Sequence, residues 1–369
     1  MGDEIPDRDR PVAALRRQAE IVAAFRRQAE ICAALDSPFT GELCARAAED
    51  IAAGGPVADL VAGWRGDLEE GILPLRLAGG LHFLALAGRA PEYSAHLPSP
   101  DREPRWPEAW EAARAIVARE GAFLARFLES PPQTNEVARA ATLIGGFLTI
   151  ARETGRPLAL AEIGASAGLL LNWDRYRYET PGFCWGPTDA RLVLSPKWFG
   201  PPPPLGPVEI VSRRGCDLAP LDLSDPEARL RLRSYVWPDQ PARLAALDAA
   251  LVVAEAHPPI VDRAGAADWL EKVLPARPSD AALVVHHSYV WPYLPEEEQD
   301  RVATLIAEAG ARADARAPLA WLRMEQNAAR DGMEVLLDLW PDAGRSEGAR
   351  RRLAFCHPHG RWVDWRGPS

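Results

Sequence analysis

The sequence predicts an all-helical domain over residues 1–155, followed over 156–369 by an α/β fold with a mostly parallel sheet and an antiparallel last strand. Three observations predict it. Upstream of residue 156, apolar residues recur at three- and four-residue spacing, the period of a helix with one buried stripe. Downstream, short apolar runs of strand length alternate with helical patterns, as in a parallel sheet covered by helices on both faces. Between the two lies Leu158–Asn172, an apolar run that ends on an acidic residue and passes two glycines four apart. It then enters a second apolar pattern, and the whole reads as buried strand, tight turn and helix N-terminus.

In the first domain the helical patterns are Arg10–Leu35, Thr40–Ala53, Gly71–Ala87, Pro107–Leu128 and Asn135–Glu153. Gly54-Gly55-Pro56 and the stretch Pro98–Pro107 separate some of them. Within the first helix, Arg16-Arg17-Gln18-Ala19-Glu20-Ile21 recurs as Arg26-Arg27-Gln28-Ala29-Glu30-Ile31. A ten-residue shift leaves the copies about 80° apart around a helix, so this is one long amphipathic helix and not a solenoid. Before the last helix stands Pro131-Pro132-Gln133-Thr134-Asn135-Glu136. Either Thr134 caps that helix with Glu136 in its first turn, or Asn135 and Glu136 reach a ligand at the glycine turn.

In the second domain, strand-like runs are Leu158–Ile163, Val208–Val211, Pro259–Val261, Ala282–His286, Leu319–Met324, Met333–Leu339 and Leu353–His357. Pro226–Arg233, Pro241–Val253, Ala266–Leu274 and Glu296–Ala309 read as the intervening helices. The last two strands, joined by Pro341–Gly348, read as an antiparallel hairpin at the sheet edge.

Bulk properties exclude several functions. A net charge of −10 argues against a nucleic-acid backbone as the main partner. No run of eighteen apolar residues exists to span a membrane, and the Asp/Arg-rich start lacks a secretory apolar core, so a cytoplasmic location is expected. Five scattered cysteines, Cys32, Cys44, Cys184, Cys216 and Cys356, fit reduced thiols. His357-Pro-His359 has no neighbouring cysteine or carboxylate to complete a metal site, and none is expected.

The glycine turn admits two chemistries. Glu162-x-Gly164-x-x-x-Gly168 resembles the first motif of class I S-adenosylmethionine-dependent methyltransferases, and Gly164-x-Ser166-x-Gly168 matches the nucleophile elbow of serine hydrolases. A hydrolase places several strands before its nucleophile, whereas here everything upstream reads helical. A dinucleotide dehydrogenase needs a middle glycine that is missing. The methyltransferase resemblance gains from later strand ends. Arg214-Gly215-Cys216-Asp217 resembles the second motif, in which Asp217 would accept from the ribose hydroxyls, although Asp217 follows Gly168 by forty-nine residues. Asp268, beside Trp269, resembles the third motif, implying an adenine contact, unless it only caps its own helix. Val284–Glu297 resembles the fourth, with His286 and His287 where a methyl acceptor would sit. Adjacent strand residues face opposite ways, so one of the two at most points into a given pocket; His287, nearer the strand end, is favoured as base.

The whole chain also resembles a bacterial family catalogued as domain of unknown function 2332, through strings at 26–30, 131–136, 162–169, 174–178, 214–218, 235–240 and 357–360. The methyltransferase resemblance covers about 156–363 and implies a Rossmann-like class I methyltransferase fold with S-adenosylmethionine as cofactor and a small-molecule acceptor. Glu162, Gly164, Ser166, Gly168, Asp217 and Asp268 would hold the cofactor, and Asn135, Glu136, Tyr289 and Trp237 the substrate; Tyr235–Gln240 is a candidate lid. Two other readings stay open, a non-catalytic regulatory module with the same fold and a serine hydrolase acting through Ser166. Apolar helices of the first domain could equally bury a homodimer interface.

Overall fold

The computed structural model describes residues 10–68, 72–99, 104–327, 329, 332–341 and 350–367. Helices α1 (Arg10–Ala34), α2 (Pro38–Ala52), α3 (Pro56–Val61), α4 (Leu73–Leu86), α5 (Pro91–Ser94), α6 (Glu108–Arg119), α7 (Gly121–Glu129) and α8 (Ala140–Thr154) come first. Strands β1 (Leu158–Ile163), β2 (Arg177–Thr180), β3 (Phe183–Trp185), β4 (Val193–Leu194), β5 (Lys197–Phe199) and β6 (Ile210–Asp217) follow. Next come α9 (Pro226–Ser234), α10 (Pro241–Ala256), β7 (Val261–Arg263), α11 (Ala266–Val273), β8 (Ala282–Ser288) and α12 (Glu296–Ala311). The chain ends with β9 (Leu319–Gln326), β10 (Met333–Trp340), β11 (Arg351–Cys356) and β12 (Trp362–Trp365).

The chain divides into two compact units, one of residues 1–134 and 224–244, the other of 135–223 and 245–369. The first unit is helical. Its apolar stripes meet in one core that includes Phe25, Leu43, Ile51, Leu77, Leu81 and Ile116. The duplicated arginine-rich segment lies within the single helix α1, as its spacing predicts. Gly41 lets α2 close on α1, for a Cβ there would stand 2.9 Å from the Ala29 carbonyl oxygen.

The segment 224–244 belongs to this helical unit and ties into it by specific bonds. Asp239 accepts the Phe39 N–H at 2.8 Å and the Ser37 hydroxyl at 2.5 Å. It thereby caps the start of α2, where Ser37 makes no side-chain cap of its own. Gln240 Nε2 donates to the Leu35 carbonyl at 2.9 Å, and the buried His82 Nδ1 lies 3.1 Å from the Ser234 carbonyl. Tyr235 packs on Phe127 with ring centroids 5.9 Å apart. Residues 235–240, expected as a lid, are here part of a helical core: Tyr235 and Trp237 are buried, and Arg243 lies over the Trp237 ring.

The second unit is built on a nine-stranded sheet in the order β5-β12-β11-β10-β9-β8-β1-β6-β7. From β7 to β9 every pairing is parallel. β10 then runs antiparallel to β9, β11 to β10 and β12 to β11. The sheet is therefore mixed and mostly parallel, and the reversal starts one strand earlier than the sequence suggests. A connection of only six residues between Gln326 and Met333 is far too short for a parallel crossover, which needs a dozen or more. The β10–β11 hairpin expected at this edge is present; residues 342–349 of its connection lie outside the described residues.

Two further corrections concern the chain after β1. No α-helix follows the glycine turn. Leu169–Arg175 is a 3-10 segment with a kink at Asn172. Tyr176 and Tyr178 donate their hydroxyls to the Leu169 and Trp173 carbonyls at 2.6 and 2.7 Å, and Arg213 donates to the Leu171 carbonyl at 2.8 Å. These bonds claim acceptors that a continuing helix would use. The long stretch before β6 holds a small sheet, β3-β2-β4, and the edge strand β5. Helix α8 also starts later than expected, after a 3-10 turn at Val137–Arg139 that Glu136, not Thr134, caps.

One face of the large sheet packs α11 and α12 over Ala161, Ile163, Val285 and Trp321. On the other face, α8 approaches so closely at Gly146 that a Cβ would stand 2.4 Å from a Leu322 methyl.

The Asp239 cap predicts that Asp239→Ala destabilises the helical unit by about 1–2 kcal/mol. Urea denaturation followed by far-ultraviolet circular dichroism checks this, with Asp239→Asn, which keeps an acceptor oxygen, expected to recover most of the loss; an unchanged midpoint for the alanine variant refutes it.

Candidate functional site at the end of β1

Strands β6 and β7 continue from β1 in one direction, and β8 and β9 lie in the other. The order reverses between β1 and β8, and in open parallel sheets ligands bind at the C-terminal strand ends beside such a reversal. Three residues of the turn after β1 have positive φ: Gly164 at 64°, Ser166 at 53° and Gly168 at 72°. Only glycine adopts this region freely, so Ser166 is strained there and must be held. Asp217, at the end of β6, holds it. Its Oδ2 accepts the Ser166 N–H and its Oδ1 accepts the Ala219 N–H, both at 2.9 Å. Asn135 Oδ1 fixes the exit of the turn by accepting the Leu169 N–H at 2.8 Å.

The structure thus brings Asn135, Glu162, Gly164, Ser166, Gly168 and Asp217 together. The two glycines are close-packed by protein: a Cβ at Gly164 would meet a Val290 methyl at 2.5 Å, and one at Gly168 would meet Pro259 at 2.6 Å. Glu162 is buried, and its Oε2 has no hydrogen-bond partner. Burial, and secondarily the charge of Asp217, push its carboxyl well above the usual carboxylate range. The Ser166 hydroxyl is likewise buried without a partner.

Glu162 and His286 are register neighbours on β1 and β8 and so share the α8 face. The His286 ring meets the edge of Phe147 at 5.2 Å, and Phe147 stacks on Trp173 at 4.5 Å. Neither His286 nitrogen has a partner, and the Trp173 indole N–H has none. Burial, then repulsion from His287, pulls the His286 pKa down to about 3, so the ring is neutral.

His287 faces the opposite side and has both nitrogens engaged. Trp321 Nε1–H donates to its Nε2 at 3.1 Å, which leaves the proton on Nδ1, and Nδ1–H donates to Glu325 Oε1 at 2.6 Å. Trp291 stacks on the ring at 5.4 Å. The histidine favoured as base therefore has no lone pair left over, whereas both nitrogens of the fully buried His286 are without a partner.

The remaining expected site residues make other contacts. Asp268 has a side chain 67% exposed and pairs with Arg301 at 3.0 Å, away from the turn; the Trp269 indole bonds instead to Asp262. Trp237 is in the helical unit. Glu136 spends its carboxylate on the Ala138 N–H at 3.2 Å. Tyr289 follows β8 at φ 56°, under the guanidinium of Arg139. Arg139 itself donates to the Ser288 and Pro358 carbonyls, joining the His357–Gly360 turn to the end of β8. Sequence reasoning missed Arg139, Phe147 and Glu325. The one available signal was a charged residue next to a recognised string or at a strand end, as Glu325 is on β9. Among the described residues no group of three or more His, Cys, Asp or Glu could hold a metal ion.

The model of a family described as an uncharacterized protein conserved in bacteria, DUF2332, matches residues 22–365, and the chain belongs to that family. No curated protein matches it.

The buried neutral imidazole sets a pH dependence. The folded pKa of His286 lies below its unfolded value of 6.5, so its contribution to stability is present above 6.5 and lost as pH falls towards 3. The buried His82, lowered to about 4, acts in the same sense. Each group contributes a slope of at most about 1.4 kcal/mol per pH unit. For Glu162 the sign is opposite: the raised folded pKa costs stability as pH rises above the unfolded value. Urea titrations from pH 4.5 to 7.5 are expected to show a shallower acid limb for His286→Gln and a gain at pH 7 for Glu162→Gln. Identical limbs for wild type and His286→Gln would contradict the neutral buried ring.

Proposed function

We propose that this member of the bacterial family is an S-adenosylmethionine-dependent methyltransferase with a Rossmann-like sheet, acting on a small-molecule acceptor. One observation carries the reading: the acidic end of β6 lies at the glycine turn of β1, with Asp217 Oδ2 2.9 Å from the Ser166 nitrogen, despite the forty-nine residues between Gly168 and Asp217. A carboxylate there, at the C-terminal edge of the strand next to the reversal of strand order, suits a nucleoside ligand. The donor set fits as well. Each Asp217 oxygen accepts one backbone N–H and keeps a lone pair for a ribose hydroxyl. Leu218, 73% exposed next to it, offers an apolar surface to a base ring. The unpartnered Glu162 carboxyl suits the cationic methionine end.

The sulfonium, when bound, supplies an already activated methyl group, so the protein's contribution is positioning. Asp217 fixes the turn and the ribose together. Glu162 is neutral when alone in its apolar setting and ionises beside a cation, which couples cofactor binding to proton release. His286, neutral with both nitrogens unpartnered, orients an acceptor through hydrogen bonds. Asp268 has no part in this arrangement.

One observation favours a second reading. The left-handed Ser166 between two glycines has the backbone of a hydrolase elbow. It lacks a base, since its hydroxyl has no partner and His287 is fully engaged.

Calorimetric titration with S-adenosylmethionine and S-adenosylhomocysteine tests the proposal. Micromolar binding is expected, weakened more than about tenfold by Asp217→Ala and less by Asp217→Asn, which keeps one acceptor oxygen. Affinity for S-adenosylmethionine should rise with pH in wild type and not in Glu162→Gln. A folded protein that binds neither ligand overturns the reading, and labelling of Ser166 by a fluorophosphonate would then support the hydrolase.

A further inference from the structure

The end of β8 carries a second buried polar group, on the α11 and α12 face, that the proposed chemistry does not use. Trp321 donates to His287 Nε2, His287 Nδ1–H donates to Glu325 Oε1, and the same Oε1 accepts the Val290 N–H at 3.0 Å. A single carboxyl oxygen thus accepts one hydrogen bond from a core histidine and one from the loop after β8. That loop starts with Tyr289, a non-glycine residue at φ 56°, a conformation that persists only when its surroundings over-determine it. The Tyr289 N–H donates to the Met324 carbonyl at 2.8 Å, so the end of β9 grips two successive amides of the loop. The next side chain, Val290, fills the space over Gly164 that a Cβ would need.

We propose that Glu325 and His287 are positioning residues: the chain from Trp321 through His287 and Glu325 holds Val290 against Gly164 and so sets the opening of the glycine turn to a nucleoside ligand. The ligand class rests on the methyltransferase reading; the positioning does not. Burial gives the chain its leverage. His287 is fully enclosed between Trp291 and Trp321, so its tautomer is set by the indole N–H and its ring cannot turn away from Glu325. Glu325 is buried as well, and its Oε1 carries both bonds, so loss of that one oxygen breaks the link at both ends. Trp321 is the far anchor: its indole sits on β9 under the guanidinium of Arg323, which pairs in turn with Asp338 on β10.

The test is amide hydrogen exchange on the full chain, with S-adenosylhomocysteine titration in parallel, for wild type, Glu325→Gln, Glu325→Leu and Trp321→Phe. Glu325→Gln keeps an acceptor oxygen and is expected to leave the Val290 amide within about threefold of wild type. Glu325→Leu should speed exchange at Val290 by about tenfold or more while the β1 amides stay protected, with S-adenosylhomocysteine affinity falling in step. Trp321→Phe, which removes the far N–H along with part of the ring, should give a smaller change of the same sign and guards against misfolding of the leucine variant. Unchanged Val290 exchange in folded Glu325→Leu overturns the proposal, as does equal acceleration at Val290 and β1, which marks a merely structural role. Absence of ligand binding by wild type rejects the cofactor reading alone, since the exchange arm still decides the positioning.

Discussion

Asp217 ties two strand ends together, and the geometry of the candidate site depends on that tie. The chain leaves β1 through a turn with three residues at positive φ, one of them a serine. Such a turn has no intrinsic reason to hold its shape. The carboxylate from β6 supplies one by accepting the Ser166 N–H, and Asn135 supplies another by accepting the Leu169 N–H. Both anchors reach the turn from residues distant in sequence, so the site forms only when the sheet has formed. Its polar groups are therefore preorganised by the fold, and Glu162 stays buried and unpartnered there as a neutral carboxyl group.

Parity along β8 divides two adjacent histidines between opposite environments. His286 looks onto Phe147 and the α8 face with no hydrogen-bond partner, and His287 looks onto two indoles and a carboxylate that use both its nitrogens. Residue type and proximity to the strand end favoured His287 as the reactive one. What decides between them is the supply of partners on each face, and those partners come from β9 and from α8.

The run of helices and the later alternation of strands with helices were legible because periodicity is local; how the chain groups into units was not, for α8 falls with the sheet and 224–244 with the helices, where the expected boundary stood at 155/156. The pairing of Asp217 with the glycine turn was legible from motif order despite the long insertion. The helix expected after Gly168 was not there, because the tyrosine hydroxyls of Tyr176 and Tyr178 claim carbonyls, a competition that apolar spacing does not register. Asp268 had the right residue type beside the right strand, yet Arg301 from α12 holds it at the surface. The reversed β10 follows from the six-residue connection after β9, a length that the alternation of apolar runs does not weigh. Trp321 and Glu325 were invisible as site elements, since their roles exist only across strands.

The interleaving of the two units has an evolutionary consequence. The chain passes between them at 134/135, at 223/224 and at 244/245, and the third passage returns after delivering the Asp239 cap to α2. A single recombination event at one of these junctions would separate α2 from its cap or the sheet from part of its crossover. The helical unit is therefore not one continuous stretch of chain, and moving it whole as a cassette would require breaks at all three junctions. The doubled Arg-Arg-Gln-Ala-Glu-Ile segment of α1, which leaves every junction intact, is the kind of change this architecture permits.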